Sequence, residues 1–308
     1  MGRDRSWPPD PEALPHELVD NHTHLDAPAP GAGGFGAPDG DGSGPPSVED
    51  QLARAARVGV TRMVQIGCDL PAAAWTDSAV REHPALLGGV AIHPNEAVLH
   101  AGVREVAPDG LEPQPEPRHD VGLDDAIAAV ARIAAGNERV RVIGETGLDF
   151  FRAGERGRAV QRESFRAHVA LAKELGLVLQ IHDRDAHQDV MDVLARDGAP
   201  ERTVFHCFSG DAAMARECAA RGWYLSFAGT VTFKGSTGLR EAVRAVPLSQ
   251  VLLETDAPYL TPHPYRGRPN APYLVAATAR AVAAELDVPV EEVCRTVWRT
   301  SEQVYGPW

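Results

Sequence analysis

The chain has 308 residues, 44% of them hydrophobic, which is enough for a full-sized core and fits either one large α/β barrel or two average domains. A formal net charge of −13 excludes adhesion to nucleic acid over the whole surface, but leaves room for a local cationic groove or a metal that recruits phosphate. No run approaches the ~18 apolar residues of a membrane helix, no secretory signal is visible, and Cys68, Cys207, Cys218 and Cys294 form no CxxC pair, so a cytoplasmic protein with reduced thiols is expected.

Residues 1–16 are expected to form a flexible N-terminal extension, and residues 17–308 a single domain. Eight short runs rich in Val, Ile and Leu follow in order, at 17–22, 60–67, 85–93, 140–145, 177–182, 203–208, 223–229 and 251–256. Near-continuous apolar character is what strands buried on both faces of a parallel sheet require. The segments between them read as helices. Over 159–176, for example, Val160, Phe165, Val169, Ala172 and Leu175 fall on one stripe before a Gly stop. Eight β/α units predict an α/β fold, a (β/α)8 TIM barrel. A doubly wound dinucleotide-binding sheet is excluded because no Gly-rich turn follows the first strand. Two stretches break the rhythm: the Gly/Pro/Ala-rich segment 27–47 and the polar, Pro-rich segment 99–121. Both are expected to be disordered insertions, with a lid over the barrel mouth as the second reading.

The informative pattern lies at the strand ends. His22 and His24 sit at the end of the first predicted strand, Glu145 at the fourth, His182 at the fifth, His206 at the sixth and Asp256 at the eighth. In a barrel these ends face one mouth, where active sites of this fold are assembled from several strands. Residues i and i+2 of an extended strand point the same way, so His22 and His24 can reach one ion, with Asp256 completing its shell. His182 and His206 can hold a second ion, and Glu145 is the natural bridge. Mixed imidazole and carboxylate ligands suit Zn, Mn, Fe or Mg alike. Two such ions, roughly 3.5–4 Å apart, clamp the attacking and leaving oxygens of a displacement at phosphorus. A carboxylated lysine, the bridge often used in barrel hydrolases of the amidohydrolase kind, is disfavoured. Lysine occurs only at Lys173 and Lys234, and neither ends the fourth strand.

The motifs VDNHTHLD, IGETGLDFF, QRESFRAHVALAKELGLVLQIHDRDA, FHCFSGD and LLETDAPYLTPHPYRGRPN resemble, in collinear order over about residues 17–307, the TatD family of metal-dependent hydrolases. The resemblance implies a TIM barrel related to the amidohydrolases. It also implies two divalent ions (Mg, Mn or Zn) and hydrolysis of phosphodiesters in DNA, commonly as a 3′–5′ exonuclease on single strands or 3′ ends. Carried over motif by motif, the family's ligands fall on His22, His24, Glu145, His182, His206 and Asp256. The chain departs from the family pattern in its two longer insertions, in its N-terminal extension, and at Asn95. There, after "HP", many members carry a histidine or an acidic residue.

The expected mechanism is metal-assisted attack of water on phosphorus, with Asp256 as general base and Glu145 as the second catalytic carboxylate. Glu254, two residues before Asp256, is expected one layer deeper, orienting ligands. His93 is a candidate phosphate or leaving-group contact, and Asp149 and Asp183 are candidates for orienting ligands or capping helices. Arg184, Arg266 and Arg268 are the candidate phosphate binders, and Tyr259, Phe150 and Phe151 could stack on an unpaired base. Cys207 is expected to point away from the metals. Neither a membrane nor an obligate protein partner is implied. The competing reading is an amidohydrolase-like enzyme that cleaves a small-molecule amide or ester with the same metals.

Overall fold

A computed structural model describes residues 5–27 and 46–308. Strand β1 (Leu18–Thr23) is buried along its whole length, and α1 (Val48–Arg57) begins where the Ser47 hydroxyl accepts the Asp50 N–H. Next come β2 (Val60–Gly67) and α2 (Leu70–Glu82), the latter capped by the Asp69 carboxylate. β3 (Leu86–Val90) is followed by a short helix α3 (Pro94–His100) and then by α4 (Leu123–Gly136). β4 (Val140–Asp149) precedes α5 (Glu155–Leu175), which stops at Gly176 in the left-handed conformation, φ 64°. The alternation continues through β5 (Val178–Arg184), α6 (His187–Asp197), β6 (Thr203–Phe205) and α7 (Ala212–Ala220). It ends with β7 (Tyr224–Phe227), α8 (Thr237–Arg244), β8 (Val251–Leu253), α9 (Val275–Leu286) and α10 (Val290–Tyr305). None of the described helices is long and apolar enough to cross a membrane.

The strands follow one another in the order β1 to β8 in one eight-stranded sheet, which with intervening helices is the (β/α)8 TIM barrel that the sequence predicts. The differences lie at strand ends. β6 and β8 stop early because the chain soon turns into the left-handed region, at Cys207 (φ 42°) and Asp256 (φ 53°). β3 ends at Val90, so His93 does not close a strand; it is the N-cap of α3. β4 runs on to Asp149, which puts Glu145 inside the strand.

Two compact units make up the chain: residues 1–65 with 210–308, and residues 66–209. In the first, α10 packs on β1 with Val293, Val297 and Val304 buried. The N-terminal segment corrects the expectation of a flexible extension, since residues 6–14 are tied down. Tyr273 Oη donates to Pro8 O (2.7 Å), Arg280 Nη2 to Glu12 O (2.7 Å), and the Leu14 N–H to Val58 O (2.9 Å). Composition alone cannot reveal this, because the donors lie more than 250 residues downstream in two of the three bonds.

In the second unit, α5 lies against β4, with Phe165, Val169 and Ala172 of the predicted stripe buried and Val160 and Leu175 half-buried. Segment 99–121 also departs from expectation, because it is pinned. Glu96 accepts from Arg118 Nε (2.7 Å) and His119 Nε2 (2.8 Å), His100 Nδ1 donates to Val121 O (2.7 Å), and Glu105 accepts the Gly157 N–H (2.7 Å). Its charged residues find specific partners, which a polar composition does not disclose. The other insertion, 27–47, lies outside the described residues except at its ends.

Candidate metal centre

In the first unit, His22 is the fifth residue of β1, His24 follows the strand, and Asp256 lies just beyond β8. Backbone bonds lock these segments together: the Asp256 N–H donates to His22 O (3.0 Å), and the His24 N–H to Ala257 O (2.8 Å). Both imidazoles then face one way, as the i, i+2 spacing requires. Their Nε2 atoms stand 3.1 Å apart, and Asp256 Oδ1 lies 3.7 Å from His22 Nε2 and 3.4 Å from His24 Nε2. Beneath them, buried Asp20 accepts from the Thr255 N–H (2.8 Å) and from Thr255 Oγ1 (2.6 Å). Burial pushes its carboxyl up to about 8, outweighing the hydrogen bonds from Thr255. Glu254 is fully buried.

In the second unit, Glu145 sits where the β4–β5 register shifts, between Ile143 and Thr146. Its Oε2 lies 2.7 Å from His206 Nε2 and 3.0 Å from His182 Nδ1, and its Oε1 accepts the Cys68 thiol at 3.3 Å. Burial raises this carboxyl, but His206 and His182 outweigh it and hold the group well below the usual carboxylate range. For His182, burial lowers the imidazole, yet Asp149 on one side and Glu145 on the other bring it up to about 9. Asp149 Oδ2 is 3.4 Å from His182 Nε2 and accepts from Asn95 Nδ2 at 3.0 Å. Its burial is overcome by these partners, His182 first, and its carboxyl sits at about 2. His93 packs edge-on to His182 with ring centroids 4.6 Å apart, and burial, reinforced by His182, lowers its imidazole to about 4.

The donor sets suit divalent cations. In the first unit, ligand atoms of His22, His24 and Asp256 all lie within 4.8 Å of one another. Two imidazole nitrogens at 3.1 Å, with a carboxylate oxygen facing both, offer lone pairs to one point. In the second unit, His182 and His206 address the same oxygen of Glu145. A further group, Glu96, His100 and His119, has similar spacing, but its Glu96 and His119 are already engaged. His119 Nδ1 accepts the Glu116 N–H, which leaves the proton on Nε2 to donate to Glu96, and Arg118 takes the rest of that carboxylate.

The TatD related DNase family model matches residues 19–306. A Mycobacterium tuberculosis protein described as an uncharacterized metal-dependent hydrolase TatD is 41% identical over 293 residues, covering 94% of this chain and 98% of its own. The chain belongs to the TatD family of metal-dependent hydrolases. The Bacillus subtilis relative YabD, also described as an uncharacterized metal-dependent hydrolase, is 33% identical, with 84% of this chain and 92% of its own covered. The crystal structure of the Escherichia coli TatD homologue YjjV superposes with a TM-score of 0.77 at 22% identity, over 94% of this chain and 98% of that one.

In this TatD chain the predicted arginines have separate fates. Arg184 lies over the Phe151 ring at 4.1 Å, and Arg266 over the Phe233 ring at 4.2 Å; both are exposed. Arg268 corrects the sequence reading: it donates to Ser6 O (2.8 Å), Ser6 Oγ (3.0 Å) and Trp7 O (2.7 Å), anchoring the N-terminal segment. Phe150 is buried, with Arg158 and Arg162 over its ring, whereas Tyr259 is 42% exposed and lies edge-on to His24 at 6.0 Å. Asp183 accepts from His187 Nδ1 (2.8 Å) in the first turn of α6 rather than capping its backbone. Sequence reasoning missed Cys68 and Gln161. Gln161 donates to Asn95 Oδ1 (3.3 Å) and accepts the Asp149 N–H (2.9 Å). Asn95 itself was visible as a departure from the family pattern.

Proposed function

We propose that this TatD protein is a divalent-metal-dependent phosphodiesterase acting on DNA, a deoxyribonuclease of the 3′–5′ exonuclease type that works on single strands or 3′ ends. In this reading two ions are held, one by His22, His24 and Asp256 and the other by Glu145, His182 and His206. The observation that carries the reading is the convergence of His22 Nε2, His24 Nε2 and Asp256 Oδ1. When bound, divalent ions supply Lewis-acid polarisation of the phosphoryl group and acidify a nearby water.

The chain's own groups do the rest. The Asp256 carboxylate takes the proton of the attacking water. Asp149 holds His182 from the Nε2 side, which leaves Nδ1 turned toward Glu145. Arg184 and Arg266, their guanidinium groups steadied on Phe151 and Phe233, meet the anionic backbone of the substrate. These two arginines favour a phosphodiester over a neutral amide or ester. The deoxyribonuclease designation of the family supports the same choice. The test is a metal-stripped preparation assayed on 3′- and 5′-labelled single strands with Mg, Mn or Zn restored singly. Metal-dependent shortening from the 3′ end is expected. Turnover of an amide or lactone panel with none of nucleic acid would overturn the reading in favour of an amidohydrolase-like activity.

A further inference from the structure

We propose that His93 donates a hydrogen bond from Nε2 to a phosphate oxygen of the substrate and is not a metal ligand, and that Asn95 is its positioning residue. The proposal rests on the phosphodiester reading for the identity of the acceptor. Its account of His93 as a protonated-Nε2 donor stands independently.

One hydrogen bond fixes the tautomer of His93. His93 is the N-cap of α3, and its Nδ1 accepts the backbone N–H of Asn95 at 3.1 Å. A backbone amide can only donate, so Nδ1 carries a lone pair and no proton. The ring is then neutral with its proton on Nε2, and a protonated ring nitrogen has no lone pair for a metal. His93, Glu145 and His182 have metal-like spacing, yet this tautomer withdraws His93 from that group. Among the described residues, Nε2 of His93 has no hydrogen-bond partner, and the side chain is half-buried. An oriented, uncommitted N–H beside the ring of His182 is a donor awaiting an acceptor.

The surrounding segment is held from several sides, which is what a pre-organised donor requires. The His93 N–H donates to Cys68 O (2.9 Å), and the Ile92 N–H to Nε2 of buried His168 (3.2 Å), whose Nδ1 in turn donates to Ser164 O (2.8 Å). On the other side, the Asn95 side chain is clasped between Asp149 Oδ2 (3.0 Å) and Gln161 Nε2 (3.3 Å). Asn95 thus does two things: its backbone fixes the tautomer of His93, and its amide ties that backbone to β4 and α5. A histidine or carboxylate at 95 would put a different group against Asp149, so Asn95 is matched to its partners here.

The test compares His93→Asn with His93→Gln in the full chain. Asn keeps an acceptor where Nδ1 stood and has nothing at the Nε2 position; Gln places an amide N–H there. Mn binding, followed by titration calorimetry, is expected to be unchanged in both. Affinity weakened ~10-fold or more in His93→Asn would make His93 a ligand and overturn the proposal. On a labelled single-stranded oligonucleotide, kcat/KM is expected to fall ~100-fold or more in His93→Asn. His93→Gln should recover at least ~10-fold of that loss. Wild-type kinetics in His93→Asn, or equal losses in both variants, would refute the donor role. In protein carrying 15N-labelled histidine, His93 should show the Nε2–H tautomer, with Asn95→Ala yielding a mixture of tautomers; an Nδ1–H ring in the wild type would overturn the argument. Inorganic phosphate added to the Zn-loaded protein should shift the His93 Nε2–H resonance, and no shift would refute the phosphate contact. The tautomer and phosphate readouts stand even if no nucleic acid is cleaved, so failure of the nuclease reading is separable from failure of this one.

Discussion

Gly147 lies opposite His182 in the β4–β5 ladder, and a Cβ placed on it would fall 2.0 Å from the His182 carbonyl oxygen. Its φ of 144° is one that residues with side chains rarely adopt. Close approach of the two strands therefore sets the height of a proposed ligand. Gly147→Ala is expected to cost about 3 kcal/mol or more in urea unfolding, and to lower bound metal in the folded fraction. Wild-type stability with full metal content would show that the strands separate there freely.

Asp256→Asn removes the proposed base and keeps the shape. Circular dichroism and the melting temperature should stay close to wild type, while turnover of a labelled oligonucleotide falls about 10²–10⁴-fold. Near-normal turnover would move the general base elsewhere.

Metal should stabilise the fold in proportion to its occupancy. Raising an ion to a hundredfold over its dissociation constant adds about 2.7 kcal/mol, visible as a rise in melting temperature that chelation reverses. The double variant His22→Ala/His24→Ala should retain part of this response, because Glu145, His182 and His206 are untouched. Complete loss of the response would mean that the two ligand groups do not bind independently.

His168 gives the metal-free protein an acid limit. Burial lowers its imidazole from 6.5 to about 4, so the folded ring stays neutral over a range in which the unfolded one takes up a proton. Its contribution is therefore fully present above pH 6.5 and is lost as the pH falls toward 4, a loss of about 3 kcal/mol. His168→Gln, whose amide oxygen can still accept the Ile92 N–H, should show a flatter pH dependence of urea unfolding across that window. An unchanged slope would assign the acid limit to other groups.

Arg184 and Arg268 should separate binding from stability. Arg184→Ala is expected to raise KM for an oligonucleotide severalfold with the melting temperature unchanged. Arg268→Ala breaks three hydrogen bonds to Ser6 and Trp7 and should lower the melting temperature by a few degrees with little change in KM. The reverse pattern would return Arg268 to the substrate.

Much of the fold was legible because a parallel sheet buried on both faces writes itself as separate apolar runs. β2 was bounded to the residue, and α5 ended at Gly176 as its stripe foretold. The ligand candidates were legible because strand ends of a barrel converge whatever their separation in sequence. What escaped was contact between segments that share no periodicity. Arg268 looks like a surface cation until Ser6 and Trp7 are found beneath it. Glu96 and Arg118, 22 residues apart, hold a Pro-rich segment that composition marks as loose. Gln161 lies on a helix face like any amide until its two bonds to Asp149 and its bond to Asn95 are traced.

The N-terminal segment is also a scaffold for side chains far away in the sequence. Arg54, Arg268, Arg280 and Tyr273 all donate to carbonyl oxygens between Ser6 and Ala13. Removing residues 5–16 would delete those acceptors together and strand three guanidinium groups and a phenol on the surface of α1, α9 and the segments before α9. Such a shortened chain should express poorly or precipitate while keeping every proposed ligand, so a loss of activity on trimming it would reflect lost packing rather than lost chemistry.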